Sequence, residues 1–424
     1  MAPTAHGYRS LLMSMANKTF FQSIRNSLIS KINFAQDIDN ESLEALIDNE
    51  ITEVSKSSYI SLKTRLSLRN DLFYSIRGLD ILEEFLCDDS VTEIMINGYN
   101  HIFIEKNGKI HETQKSFSSK EKLEDIIQQI VSSSNKRVNR SSPIVDTRLS
   151  DGSRVNVVLD PISIDGPALT IRRFPKIPLT IDYLTDSGSI SHEAAHMLKL
   201  LVAARYNIFI SGSTGSGKTT FLNILSGFIP SDQRVITIED SAELQLTQLK
   251  NLIRLESRPA NMEGDGEISI RELIKTSLRM RPDRIIVGEV RGGETLDMLQ
   301  AMNTGHDGSL STGHGNNPVD MISRLETMIL MNIDMPITAI RSQIASAIDI
   351  MVHLGRLRDG SRRVINISEI LSFKDSSVIL NPLFLFKETG EDSNGKILGI
   401  LEKQNTALSN TFKLNAAGIK ESDL

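Results

Sequence analysis

The chain has 424 residues, enough for two or three domains with an ample core. It is 40% hydrophobic and 24% charged with a net charge of −6, a balance that suits a globular protein and counts against a general nucleic-acid binder, which needs a basic surface. The single cysteine, Cys87, excludes an internal disulfide framework and any multi-cysteine zinc site and fits a reducing cytoplasm; no run of about 18 apolar residues offers a membrane-spanning helix.

The first 36 residues carry no acidic side chain. Arg9, Lys18, Arg25 and Lys31 are interleaved with Leu11, Leu12, Met15, Phe20, Phe21, Ile24 and Leu28 at roughly helical spacing. Several uses fit this pattern: a basic amphipathic helix on an anionic membrane surface, an organelle transit peptide, a helix packed on the body of the protein, or a mobile tail. A secretory signal is not expected, because no uninterrupted apolar core precedes a small-residue cleavage site. Residues 37–61 are acidic and predict a surface helix. Residues 1–61 are therefore read as a helical, basic N-terminal extension.

Residues 62–86 read as one further helix, and a mixed unit follows. Val91 to Asn97 alternates like a strand. Ile102 to Lys106, the turn pair Asn107-Gly108, and Lys109 to Thr113 predict a hairpin. Ser118 to Val131 is amphipathic and helical. Val145 to Leu149 and Ser153 to Leu159 form a second hairpin about Asp151-Gly152, and Leu169 to Phe174 is another strand. Residues 62–174 are thus a small α+β domain. Pro175-Lys176-Ile177-Pro178 (residues 175–178) is a stiff linker, since two prolines preset φ and block helix.

The second domain spans residues 179–424. Its signature is Gly212-Ser213-Thr214-Gly215-Ser216-Gly217-Lys218-Thr219, the G-x-x-x-x-G-K-[ST] spacing of a phosphate-binding loop. A short apolar strand, Asn207 to Ser211, precedes it. A helix through Thr220 to Ser226 follows and is closed by Gly227 and Pro230. Glycines let bare backbone N–H groups approach phosphate oxygens, and the helix start adds its positive dipole end. Lys218 reaches the β- and γ-phosphates of ATP, Thr219 places a hydroxyl on Mg²⁺, and Thr220 completes the cradle.

Arg234 to Asp240 is a strand ending in two carboxylates. Ser257 to Glu267 is rich in Pro, Gly and charge and reads as a mobile loop. Ser269-Ile270-Arg271-Glu272 is a capping box opening a helix that Pro282 ends. Ile285 to Glu289 is another buried strand ending in a carboxylate; Ser309 to Thr312 is a short strand, and Asn317-Pro318 starts a helix through Met331. Strands alternating with helices predict a parallel sheet with crossover helices.

Ligands of such sheets sit at the carboxyl ends of the strands. Glu239 or Asp240 then suits the Mg²⁺ shell, because the ion is hard and keeps waters. Glu289 is the candidate base for attack by water. Asp283, near the start of its strand, reads as structural. His314 lies just past a strand, where a γ-phosphate sensor belongs; His306 reads as a hinge or interface contact.

The segments Thr237 to Leu244, Arg279 to Gly292 and Met302 to Asn317 resemble the Asp box, Walker B and His box of the type II/IV secretion-system ATPase superfamily. Asp146 to Asn156 and Thr170 to Phe174 are similar to its tight-adherence pilus assembly branch, and the resemblance covers roughly residues 65 to 372. It implies an α/β, RecA-like P-loop NTPase domain preceded by a smaller α+β N-terminal domain. It also implies a homohexamer at the cytoplasmic face of the inner membrane, on a membrane platform protein, that turns ATP hydrolysis into pilus assembly or protein secretion. The chain departs from the pattern in two places: Walker B ends in Gly288-Glu289, and Gly313 and Gly315 flank His314 and predict a loose backbone there. The four-cysteine zinc insertion of some relatives is impossible here, so no zinc is expected. In such a ring Arg148, Arg154, Arg172 and Arg173 are candidates to clamp the γ-phosphate, a contribution worth about 10³–10⁵ in rate. Three alternatives share parts of this signature. A conjugation or type IV secretion DNA-transfer motor should show a basic stripe, an ABC-type subunit should carry an LSGGQ-like signature, and a non-hydrolysing regulatory nucleotide binder has no need of Glu289 or His314. No specific nucleic-acid partner is expected.

Overall fold

The computed structural model describes residues 21, 23–32, 39–56, 60–106, 108–173, 179–260, 265–374 and 377–424. The proposed linker, most of the basic N-terminal stretch and the centre of the 257–267 loop lie outside the described residues. The chain divides into two compact units, Met1–Lys176 and Ile177–Leu424.

The first unit opens with helices α1 (residues 23–31), α2 (Asn40–Ser55) and α3 (Leu62–Arg77). Asp39 caps α2 by accepting from Ser42 N at 2.7 Å, and Ser61 caps α3. Helix α2 is more than a surface helix: Leu43, Ile47 and Ile51 recur on one face and are buried with Ile24, Leu28 and Leu72. Residues 62–86 are not one helix. Gly78 adopts an extended conformation after α3 and Asp80 takes φ 57°, so the chain turns before α4 (Leu82–Cys87) begins.

Strands β1 (Val91–Asn97), β2 (His101–Lys106) and β3 (Lys109–Glu112), helix α5 (Lys120–Ser133), and strands β4 (Ile144–Arg148), β5 (Arg154–Val158) and β6 (Ala168–Arg172) complete the unit. The strands form one sheet in the order β3-β2-β1-β6-β5-β4. Leu123, Ile126, Ile127, Ile130 and Val131 of α5 pack on Ile94, Ile96, Val155, Val157, Leu169 and Ile171. Arg148, Arg154 and Arg172 occupy directly paired positions across β4, β5 and β6, and Glu93 continues the row on β1. Paired residues share a face, and β5 buries Val155 and Val157 on the other one. The arginine row therefore lies opposite the core.

The second unit contains α6 (Ile181–Asp186), α7 (His192–Ala203), β7 (Ile208–Gly212), α8 (Lys218–Ser226), β8 (Arg234–Glu239), β9 (Asn251–Glu256), α9 (Ile270–Ser277), β10 (Arg284–Val287), α10 (Glu294–Asn303), β11 (Leu310–His314), α11 (Pro318–Leu330), α12 (Ile337–Ala347), β12 (Ile350–Arg356), β13 (Arg362–Lys374), β14 (Ser377–Glu391), β15 (Ile397–Lys403) and α13 (Phe412–Ala416). Its sheet runs β15-β14-β13-β12-β7-β11-β10-β8-β9. The six strands from β12 to β9 are parallel, and β13 to β15 add an antiparallel extension. One face packs on α7 and α8 through Leu198, Leu201 and Leu222, and the other on α9 to α12 through Ile274, Leu299, Leu325 and Ile344. Every residue of β7 is buried, which makes it the centre of the layer.

The local signals behave as the residue types dictate. Ser269 Oγ accepts from Glu272 N at 3.3 Å while Glu272 Oε2 accepts from Ser269 N at 2.9 Å, the reciprocal cap expected from the sequence. Asn317 caps α11 with Pro318 in its first turn. The ends of the 257–267 loop are tied together, since Arg258 and Ile268 bridge each other and Arg258 Nε donates to Gly266 O at 2.7 Å. Strand β9 and the antiparallel extension have no counterpart among the elements expected from sequence. Replacing Ser269 by Ala should cost about 1 kcal/mol, because the hydroxyl that accepts from Glu272 N is lost. For a unit of this size that lowers the melting temperature by roughly 2–4 °C. An unchanged melting curve in Ser269→Ala would contradict the cap's contribution.

Candidate functional site

The phosphate loop joins β7 to α8 in a strand–turn–helix. A side chain at position 212 would put its Cβ 2.5 Å from both Leu354 O and Ser216 Oγ, so only glycine lets the loop close against β12. Gly217 takes φ 93° as the residue preceding α8, a conformation that L side chains rarely adopt. Ser213, Thr214, Gly215 and Thr220 are exposed, Thr219 is half-buried, and Ser216 is buried with its hydroxyl unpartnered.

Lys218 begins the helix and is 7% exposed. Its Nζ donates to Gly212 O at 3.1 Å and Ser213 O at 3.0 Å, and it lies 3.1 Å from His314 Nδ1. An ammonium offers only donors, so Nδ1 is the acceptor and the imidazole carries its proton on Nε2. That Nε2 faces Glu289 Oε1 at 2.8 Å. The other oxygen, Glu289 Oε2, accepts from Arg291 Nη2 at 2.8 Å, and Arg291 Nη1 lies 3.7 Å from Asp240 Oδ2. The chain of contacts is therefore Lys218, His314, Glu289, Arg291, Asp240.

Strand register builds this chain. His314 pairs with Gly212 across β11 and β7, and β10 lies between β11 and β8. Beyond the strand ends, Gly288 N donates to Ile238 O at 2.8 Å, Val290 N to Thr312 O at 3.0 Å and Thr312 Oγ1 to Gly288 O at 2.8 Å. These bonds hold the Glu289 backbone between its neighbours. His314 is the last residue of β11 rather than just past it. The flanking glycines do not loosen it: a Cβ at 313 would meet Phe209 and Met321 at 2.9 Å, and one at 315 would meet Met321 at 3.0 Å. They are where α11 and β7 come closest to the His-box backbone.

Glu239 is 3% exposed, and its Oε2 accepts from Glu243 N at 2.7 Å and Leu244 N at 3.1 Å. Its Oε1 is buried and unpartnered, and burial holds its carboxyl above the usual carboxylate range. Asp240 is exposed and accepts from Ser257 Oγ at 3.1 Å. Burial, then the Lys218 ammonium, push His314 below its ordinary value, against the opposing pull of Glu289. The hydrogen bond to Glu289 raises Arg291 further. A cavity of about 860 Å³ opens beside the loop, lined among others by Ser213, Thr214, Arg291, His314, Asn316 and Arg324.

Other sequence candidates stand elsewhere. Asp283 accepts from Arg234 N at 2.7 Å and lies 3.4 Å from Arg205, a local brace. His306 Nδ1 meets Ala301 O at 3.2 Å, a contact at the end of α10. Arg148, Arg154 and Arg172 form the row on the first unit. Arg173 does not fit the clamp. Its guanidinium is spent on the carbonyls of Phe85, Asp88 and Val91, and its side chain is 6% exposed. One residue of the site and one buried histidine beside β7 escaped the sequence. Arg291 was readable as a cation two places past a strand-end carboxylate. His353, buried in the apolar run of β12 and 2.9 Å from Ser211 Oγ, gave no signal.

A model of the type II/IV secretion system protein family matches residues 76–392. The chain belongs to that family. A Mycobacterium tuberculosis protein, named only provisionally for conjugal transfer, is 34% identical over 300 residues, spanning 69% of this chain and 84% of its own. The conjugal transfer protein TrbB of Rhizobium radiobacter is 32% identical over 311 residues, 70% of this chain and 90% of its own. Among solved structures, the pilus retraction motor PilT with bound ADP superposes with a TM-score of 0.51 at 19% identity, covering 80% of this chain and 87% of that one. The ATPase DotB of Yersinia pseudotuberculosis does so with a TM-score of 0.51 at 18% identity, covering 71% and 80%. These likenesses establish the fold, a RecA-like P-loop domain preceded by a smaller α+β domain. It is the fold the sequence predicted.

The contact chain sets the titration of His314. Its imidazole should titrate below the ordinary midpoint of about 6.5 when followed by NMR. Lys218→Ala removes a repelling charge and should raise that midpoint, whereas Glu289→Gln removes an attracting one and should lower it. A native midpoint at or above the ordinary value would contradict the arrangement.

Proposed function

We propose that the chain is an ATP-hydrolysing motor that works as a homohexamer and drives pilus assembly or protein secretion across a bacterial envelope. The observation that carries this reading is the linked set Lys218, His314 and Glu289. It brings a phosphate-loop lysine, a strand-end histidine and a strand-end carboxylate into one contact chain. A binder that never hydrolyses gains nothing from such a carboxylate.

The residues divide the work by chemistry. Backbone N–H groups from Gly212 to Thr220 and the α8 N-terminus neutralise phosphate oxygens. Lys218 exchanges its carbonyl partners for phosphate oxygens, which are far stronger acceptors. Glu289 accepts a proton from water, whose oxygen attacks the terminal phosphorus as the bond to the bridging oxygen breaks; the products are ADP and phosphate. Arg291 holds one carboxylate oxygen by a hydrogen bond, while the other, 2.8 Å from His314 Nε2 but without a hydrogen-bond partner, is left to accept from the water. His314 also touches the lysine that follows the phosphate, which suits a sensor. Thr219 would hold Mg²⁺ directly. The unpartnered Oε1 of Glu239 would accept from an outer-shell water and fits that role better than Asp240, which already accepts from Ser257. The ion supplies charge neutralisation at the phosphates.

Three of the four arginines suit a clamp. Like charges placed directly opposite one another across strands are destabilising. Glu93 stands opposite Arg172 at one end of the Arg148, Arg154 and Arg172 row, and in this reading the terminal phosphate is a further anion for it. No helix among the described residues is long and apolar enough to cross a membrane. In this reading the motor acts from the cytoplasm, held at the inner membrane by a platform protein, as the family likeness suggests.

A DNA-transfer role is the second reading, and the name of the relative TrbB favours it. The net charge of −6 counts against it. Turnover that rises with single- or double-stranded DNA would select this reading, and turnover indifferent to DNA the first.

ATPase activity should rise with protein concentration as the ring assembles. Lys218→Ala should abolish it. Glu289→Gln should lower kcat by about 10²-fold or more while nucleotide binding persists. Native-like turnover in Glu289→Gln would remove Glu289 as the base.

A further inference from the structure

The catalytic candidates all lie to one side of the phosphate loop. His314, Glu289 and Glu239 come from β11, β10 and β8, which follow β7 in that order. On the other side stands β12, parallel to β7 with Leu354 opposite Gly212. A triphosphate whose terminal phosphate faces the acids must direct its nucleoside the other way, over the turn between β12 and β13.

That turn carries two arginines against the loop. Arg356 and Arg362 are a directly opposed pair across β12 and β13. Arg362 Nε donates to Gly215 O at 2.8 Å, and its Cδ lies 3.6 Å from where a Cβ at Gly217 would stand. Arg356 Nη1 lies 3.9 Å from the corresponding point at Gly215. Both side chains are exposed. The turn is fixed, since Leu357 N donates to Ser361 O at 2.8 Å and Gly360 takes φ 83°. Arg358, on the same turn, is committed elsewhere: it donates to Glu388 at 2.8 Å and to Glu391 at 2.8 Å.

We propose that Arg356 and Arg362 are a second anchor for the nucleotide, gripping its α-phosphate and purine base on the side away from Glu289. The proposal rests on nucleotide binding at the phosphate loop and deepens it. Two guanidinium groups directly opposite one another repel, and an anion between them reverses the sign of that interaction. A guanidinium also suits both parts of such a ligand, because it forks onto phosphate oxygens and stacks on a flat base. The bond from Arg362 to Gly215 ties the anchor to the loop itself, so nucleoside contact and loop shape are coupled.

The test is titration of the full-length protein with fluorescent mant-ADP, alongside steady-state turnover of ATP. Arg356→Ala and Arg362→Ala should each weaken mant-ADP binding about tenfold or more, the usual scale for one charge-assisted contact. The KM for ATP should rise in parallel, so the loss sits in KM rather than kcat. Arg362→Lys should recover part of the affinity. Arg358→Ala should bind like the native protein, and all the variants should remain cooperatively folded without nucleotide. Affinity within about twofold of native in both alanine variants would overturn the proposal. So would a loss confined to kcat, which would place the pair on the phosphate-cleaving side. Native binding in Lys218→Ala would instead sink nucleotide binding at the loop and is distinguishable from either result.

Discussion

A buried ammonium must be given partners, and Lys218 is given dipoles. Two carbonyls of its own loop and the ring nitrogen of His314 surround it. Phosphate oxygens are stronger acceptors than carbonyls, and in the proposed mechanism Lys218 trades these contacts for them. Because one of those contacts is with His314, which lies 2.8 Å from Glu289 Oε1, the proposed trade would couple binding to cleavage through a single imidazole.

The parallel sheet makes that coupling possible. Six parallel strands place their carboxyl ends along one edge, and a fully buried β7, second in that row and fifth of the nine strands, fixes the phosphate loop there. Pairing of His314 with Gly212 and of Leu354 with Gly212 sets how far each neighbouring strand reaches. The acids then fall to one side and the arginines of the β12–β13 turn to the other. A triphosphate has two chemically different ends, and in the reading proposed above the sheet order sorts side chains to match them. On the first unit, the same logic of strand register lines up Arg148, Arg154 and Arg172.

What the sequence disclosed follows from where information is local. The phosphate loop is legible because glycines, lysine and threonine must sit at fixed spacing whatever surrounds them. Capping residues such as Ser269 and Asn317 are legible for the same reason. Tertiary destinations are not. Arg173 looked like the other arginines of its domain, yet it terminates at carbonyls more than eighty residues earlier in the chain. Gly313 and Gly315 suggested slack, whereas their real cause is the close approach of Met321 and Phe209. Residues 62–86 kept a helical composition through a break that only Gly78 and Asp80 mark. The long strands β13 and β14 carry register shifts near Ile367 and Ile370, which blur the alternation that would have announced them. His353 was silent because a lone histidine in an apolar strand has no pattern to belong to.

The central claim is that the loop lysine, the strand-end histidine and the strand-end carboxylate converge on one terminal phosphate. A crystal structure with Mg²⁺ and a non-hydrolysable ATP analogue tests it most directly. The account predicts the terminal phosphate within hydrogen-bond reach of Lys218 Nζ, with the Glu289 carboxylate facing it across one water. A terminal phosphate on the β12 side of the loop, or one out of reach of both Lys218 and Glu289, would contradict it.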